Sequence, residues 1–210
     1  MNDQKKYLVA GVAALAAILG IYWFQSVERK AMGPATAAAS SAKIATGVTK
    51  EMSTGALAAF LVKTERKLLP DIEFFDGAGK GTKISQWKGR VVLINLWATW
   101  CAPCRKEMPA LAELQATLGS KDFEVVAISI DRKGIEASSA FLKETGAEAL
   151  KLYVEPSSRI LNELQALGLP ATVLLDRQGR EIGRLLGPAE WNSPEAVNLI
   201  QAALAEGPAS

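Results

Sequence analysis

From residue 71 onward, short apolar runs alternate with stretches whose apolar positions recur at helical spacing. Residues 72–75 read as a short strand, and Asp76-Gly77 with Gly79 marks a turn. Val91–Trp97 is a nearly unbroken apolar run, which suits a central strand covered on both faces. A helix is expected over about 100–118, a second β-branched strand over 123–130 and a helix over 135–145. A short strand at 150–154 and a helix at 157–167 follow. Ala171–Leu175 and Glu181–Leu186 read as two strands joined by Asp176-Arg177-Gln178-Gly179, a hairpin signal. Asn192-Ser193-Pro194-Glu195 opens a last helix, with Asn192 or Ser193 as cap and Pro194 in the first turn. The order β-α-β-α-(β-α)-β-β-α predicts an α/β fold with a central mixed sheet flanked by helices.

The pattern upstream is different. Residues 7–24 carry no charge, and as a helix they would cover ~27 Å, close to a bilayer core of ~30 Å. Tyr22 and Trp23 stand at the far end, where amphipathic rings favour the interface. The segment is expected to be a single-pass transmembrane anchor after a short N-terminus at 1–6. The competing reading is a cleaved secretory signal, with small-residue sites at Ala35-Thr36-Ala37 and Ala37-Ala38-Ala39. Those sites lie more than ten residues beyond the apolar segment. Lys5 and Lys6 before it are nearly balanced by Arg29 and Lys30 after it, so charge alone does not orient the anchor. Residues 25–67 read as a tether, rich in Ala, Ser, Thr and Gly over 31–50 and with a possible short helix at 54–67. The folded domain is expected over 68–210.

Composition narrows the chemistry. Of 210 residues, 49% are apolar and 22% charged, and the formal charge is +2, which gives no support to a nucleic-acid partner. The chain has two cysteines and no histidine. Cys–His and Ser–His–Asp catalysis and a Cys/His metal site are therefore excluded within it.

Both cysteines lie in Cys101-Ala102-Pro103-Cys104, between a buried strand and a helix. Residues three apart meet across one helical turn, so the pair can close a disulfide with little backbone movement. Cys101 falls at the helix N-terminus, where free amide N–H groups and the helix dipole favour its thiolate, the reactive form. Arg105 and Lys106 add positive charge nearby. Pro103 lacks an amide hydrogen, which matters little in a first helical turn. A purely structural disulfide would constrain the unfolded chain little across so short a loop. Half of a zinc site has no second half here. Cu(I) binding by the two thiols remains an alternative to redox chemistry.

The segment Asn95-Leu96-Trp97-Ala98-Thr99-Trp100-Cys101-Ala102-Pro103-Cys104-Arg105-Lys106-Glu107-Met108-Pro109 resembles the active-site segment of the TlpA/ResA branch of thioredoxin-like proteins. Arg105-Lys106-Glu107-Met108-Pro109 and Gly187-Pro188-Ala189-Glu190-Trp191 point within that branch to TlpA. The resemblance covers roughly residues 68–205. It implies a thioredoxin-like fold and a membrane-tethered thiol–disulfide oxidoreductase acting as a reductant in the periplasm, with its anchor in the inner membrane. No metal or organic cofactor is needed.

The same resemblance assigns roles. Cys101 and Cys104 form the redox disulfide. Where thioredoxins carry a buried Asp, Asn95 stands, which cannot accept a proton. Glu107 becomes the expected general base for Cys104, with a pKa raised by burial. The alternative for Glu107 is a surface ion pair, but no basic residue lies three or four positions away. Pro109 matches the kink proline of the active-site helix. Pro170 is expected to be cis and to face the cysteines, leaving the backbone of Leu169 free to pair with a substrate strand. Trp100, Ala102, Pro103, Leu169 and Pro170 are the expected substrate-contacting residues, with Trp100 shielding the thiolate from water. The implied partners are disulfides of copper chaperones and of the oxidase copper subunit, in cytochrome oxidase assembly, with a membrane thiol transporter as electron donor. Reduction of apocytochrome c is the rival substrate. That branch usually places an acidic residue after the cis-proline, where Ala171 stands here.

Overall fold

The computed structural model describes residues 47–207. The expected anchor at 7–24 and the first part of the tether lie outside the described residues. Among the described residues no helix is long and apolar enough to cross a membrane.

The described residues form one eight-stranded sheet. Its strands are β1 (Leu61–Val62), β2 (Glu73–Asp76), β3 (Gly81–Lys83), β4 (Val91–Trp97), β5 (Phe123–Ser129), β6 (Tyr153–Val154), β7 (Ala171–Leu175) and β8 (Glu181–Leu186). They lie in the order β1-β8-β7-β4-β5-β6-β2-β3. β4 runs parallel to β5 and antiparallel to β7, so the sheet is mixed as the pattern predicts. Every residue of β4, β5 and β7 is buried, which is why these strands read as mostly apolar runs. The main helices are α1 (Ala102–Leu118), α2 (Gly134–Glu144), α3 (Arg159–Glu163) and α4 (Pro194–Ala205). α1 buries Cys104, Glu107, Met108, Leu111, Ala112 and Leu114, one stripe at helical spacing. The Ser193 hydroxyl caps α4 by accepting from the Ala196 amide at 3.3 Å.

Three expectations are corrected. Residues 54–67 do not form a helix. Gly55 turns at φ 51°, short 3-10 turns run over Lys50–Met52 and Gly55–Leu57, and β1 then adds to the edge of β8. Leu57 and Phe60 are buried in the core, so the folded unit takes in residues assigned to the tether. Glu206 ties this segment down by accepting from the Val48 amide at 2.8 Å and from the Arg66 guanidinium at 2.7 Å. The helix at 157–167 shrinks to the single turn and a half of α3, because Ser158 and Gln165 both take left-handed backbone (φ 60° and 53°). The strand at 150–154 narrows to β6, and β3 with the following 3-10 turn Ile84–Trp87 has no counterpart in the pattern.

Burial also gathers charge away from the sheet's active end. Glu124 on β5 is buried, accepting from Arg90 at 2.8 Å, Lys151 at 3.2 Å and the Tyr153 hydroxyl at 3.0 Å. Burial pushes its pKa up, but these donors outweigh it and hold the carboxyl below its ordinary value.

Candidate active site

Cys101 ends the turn after β4 and caps α1. Its sulfur accepts from the Cys104 amide at 3.2 Å. The two residues form a disulfide with their Cα atoms 5.3 Å apart. Both are buried, Cys104 completely. Ala102 and Pro103 between them are exposed. Pro103 stands in the first turn of α1, where no backbone hydrogen bond is lost. Pro109 lies inside α1.

The turn is held from β5. Asp131, just past that strand, accepts from the Thr99 amide at 3.3 Å and from the Thr99 hydroxyl. Burial raises its pKa, but the bonds from Thr99 and from the Lys133 amide outweigh this, and it sits below the ordinary range. Trp100, next to the buried Cys101 in the chain, is itself 69% exposed. Arg105 is placed differently from the expectation. Its guanidinium lies 4.5 Å over the Phe141 ring and pairs with Glu144 at 3.0 Å, so its charge is committed to α2.

The Leu169–Pro170 bond is cis. Antiparallel pairing of β7 with β4 sets Ala171 opposite Leu96 and Thr172 opposite Asn95. The proline loop therefore meets the same end of the sheet from which the cysteine turn leaves. Pro170 is buried and its carbonyl accepts from the Gly187 amide at 2.9 Å, which draws the 187–191 loop to the site. Gly187 serves this turn at φ 109°, a conformation that L side chains rarely adopt. Leu169 is half-buried, and Leu167 is 93% exposed beside it.

One helical turn beyond Cys104, Glu107 is 2% exposed and, among the described residues, in no ion pair. Its Oε1 accepts from Asn95 Nδ2 at 2.8 Å and its Oε2 from the Ala189 amide at 3.2 Å. The buried Trp191 indole N–H also favours the charged carboxylate without closing a hydrogen bond. Burial dominates and raises the carboxyl from an ordinary 4.5 to about 7, against the opposing pull of Asn95, Ala189 and Trp191. Glu107 also lines a cleft of about 520 Å³ with Ala56, Lys106, Pro188, Ala189 and Glu190.

The arrangement can shuttle electrons between a sulfur pair at a helix N-terminus and a neighbouring protein, with a buried acid able to take or give a proton near neutral pH. The sequence alone does not single out Asn95 as a partner of Glu107, nor Thr172 or Asp131. The one signal present is that Asn95 and Thr172 are polar residues inside otherwise apolar strands.

The Redoxin family matches residues 63–200 of the chain. The thiol-disulfide oxidoreductase ResA of Bacillus thuringiensis subsp. konkukian is 30% identical over 121 residues, covering 58% of this chain and 69% of that protein. ResA of Bacillus subtilis is 29% identical over 133 residues, covering 63% and 73%. The crystal structure of a DsbE-type thiol:disulfide interchange protein from Chlorobium tepidum superposes with a TM-score of 0.60 at 30% identity, covering 67% of this chain and 97% of that one.

Proposed function

Because this chain belongs to the Redoxin family and is a thiol–disulfide oxidoreductase, we propose that it reduces protein disulfides in the periplasm, held at the inner membrane by residues 7–24. The observation that carries the exchange chemistry is Glu107, a buried carboxyl with a pKa of about 7 one helical turn beyond Cys104, while the reducing direction rests on the TlpA/ResA resemblance.

The cycle begins with both cysteines reduced. The Cys101 thiolate attacks one sulfur of a substrate disulfide. A Cys101–substrate S–S bond forms as the substrate S–S bond breaks, and the leaving thiolate takes a proton from water. The Cys104 thiol passes its proton to the Glu107 carboxylate and attacks the Cys101 sulfur. The Cys101–Cys104 bond forms, the mixed disulfide breaks and the second substrate thiolate leaves. Two electrons move from the enzyme dithiol to the substrate. Re-reduction needs an external dithiol, for which a membrane thiol transporter is the proposed donor. Tethering near it would raise the effective concentration.

The proposed substrates are the cysteines of copper chaperones and of the oxidase copper subunit. Support comes from the TlpA-like segments at 105–109 and 187–191 and from Ala171, buried after Pro170 where the apocytochrome-reducing branch carries an acid.

The test is trapping. A Cys104→Ser variant should accumulate mixed disulfides through Cys101, and the captured proteins should be copper-handling proteins of the oxidase. Capture of apocytochromes c alone would move the chain to cytochrome c maturation. A reduction potential well above about −200 mV would make it an oxidant instead.

A further inference from the structure

Asn95 sits on β4 and is fully buried. Its Nδ2 donates both hydrogens, to Glu107 Oε1 at 2.8 Å and to Thr172 Oγ1 at 3.0 Å. Its Oδ1 is buried without a partner among the described residues. An apolar residue would avoid the desolvation cost of that oxygen, so the amide must be there for what its other end does.

An amide differs from other neutral side chains in presenting two donors at one end and an acceptor at the other. A carboxyl that gains and loses a proton needs a donor opposite it when charged and an acceptor when neutral. We propose that Asn95, anchored by Thr172, is a positioning residue that holds the Glu107 carboxyl in both protonation states during the Cys104 step. With Glu107 charged, Nδ2 donates to Oε1 across the 2.8 Å contact. Once Glu107 has taken the Cys104 proton, the amide turns over. Its Oδ1 then accepts from the Glu107 O–H and from the Thr172 hydroxyl. That hydroxyl accepts in the first state and donates in the second, which only a group with both capacities can do. The orphaned oxygen of the charged state thus becomes the doubly used acceptor of the neutral one, and Nδ2 takes the unpartnered place that the oxygen leaves. The Cys104 sulfur, left as thiolate, bonds to Cys101 as the substrate sulfur departs with its electron pair.

The other groups around Glu107 do not take this part. From the 187–191 loop the Ala189 amide and the Trp191 indole can only donate. Lys106 on α1 and Glu190 on the loop line the cleft and are exposed to solvent. Cys104 is the proton source, and the facing strands β4 and β7 bring only the uncharged Asn95 and Thr172.

This assignment rests on Glu107 being the base for Cys104, and the experiment separates the two. The reduced full-length chain is mixed with dithiobis-nitrobenzoate, whose coloured thiolate is released once when Cys101 attacks and again when Cys104 resolves the mixed disulfide. The second phase should accelerate with pH around a midpoint near the Glu107 value of about 7, and Glu107→Gln should flatten that profile. Asn95→Leu should move the midpoint up by about one to two pH units, slowing the second phase at neutral pH about five- to fifty-fold, with the first phase unchanged. Thr172→Val keeps the packing and should move it in the same direction. Variants that slow both phases alike with an unmoved midpoint would overturn the positioning role and leave the base role standing. A profile unaffected by Glu107→Gln would remove the base role, and the positioning role with it.

Discussion

Replacing Glu107 with Gln should stabilise the oxidised protein at alkaline pH. The folded carboxyl loses its proton near pH 7, whereas an ordinary one does so near 4.5. Between those values the unfolded chain is already ionised while the folded chain still holds the proton, so rising pH favours unfolding. Below 4.5 both states are protonated and the penalty is absent. Above 7 both are ionised and it is complete. The gap, at about 1.4 kcal/mol per pH unit, is worth about 3 kcal/mol. Glu107 is buried, so solvent screening does not reduce this. Gln keeps the oxygen that Asn95 donates to and carries no charge. Its amide nitrogen opposes the Ala189 N–H, which adds an offset independent of pH. The measurement is urea unfolding of both proteins with the disulfide intact, from pH 4 to 8.5. Glu124 and Asp131, both held below their ordinary values, make each protein less stable as pH falls, and the difference between the two proteins cancels them. That difference should swing by about 3 kcal/mol in favour of Gln, or roughly 6–12 °C in Tm. A difference that stays flat within about 0.5 kcal/mol would refute a burial-raised carboxyl at this position.

Gly183→Ala should unseat β1, because the added methyl would meet a Phe60 ring carbon at 2.5 Å and the Leu61 carbonyl at 2.7 Å. The expected loss is about 1–3 kcal/mol, with faster hydrogen exchange at the Lys63 amide, which donates to Ile182. Tyr153→Phe removes a donor from the buried Glu124 and should cost about 1–3 kcal/mol at pH 7. Glu124 stabilises the fold above its ordinary value and ceases to as pH falls through its lowered one. The variant should therefore lose structure at higher pH in an acid titration followed by circular dichroism.

Much of the fold is legible along the chain because it depends on neighbours in sequence. β4, β7 and β8 fall where the apolar runs predict them, and α4 begins at the cap and proline that announce it. The two cysteines at a strand-to-helix junction define the chemistry without any distant residue. The errors fall where local and distant forces compete. Residues 54–67 have helical composition, but burying Leu57 and Phe60 against the domain and pairing with the β8 edge favour turns and a strand. Arg105 lies next to Cys104 in sequence, and only the packing of α2 turns its charge toward Phe141 and Glu144.

By itself, the sequence determined which atoms react, the apolar strands that carry them and the helix whose N-terminus Cys101 caps. The tertiary structure decided how the proton is managed. Glu107 meets Asn95 from 12 residues away, Asn95 meets Thr172 from 77, and the Ala189 amide reaches Glu107 from 82. Those contacts follow from the order and register of the strands. Burial at their meeting point is what moves the carboxyl to about 7, because an environment is a property of everything packed around a group and not of its neighbours in the chain.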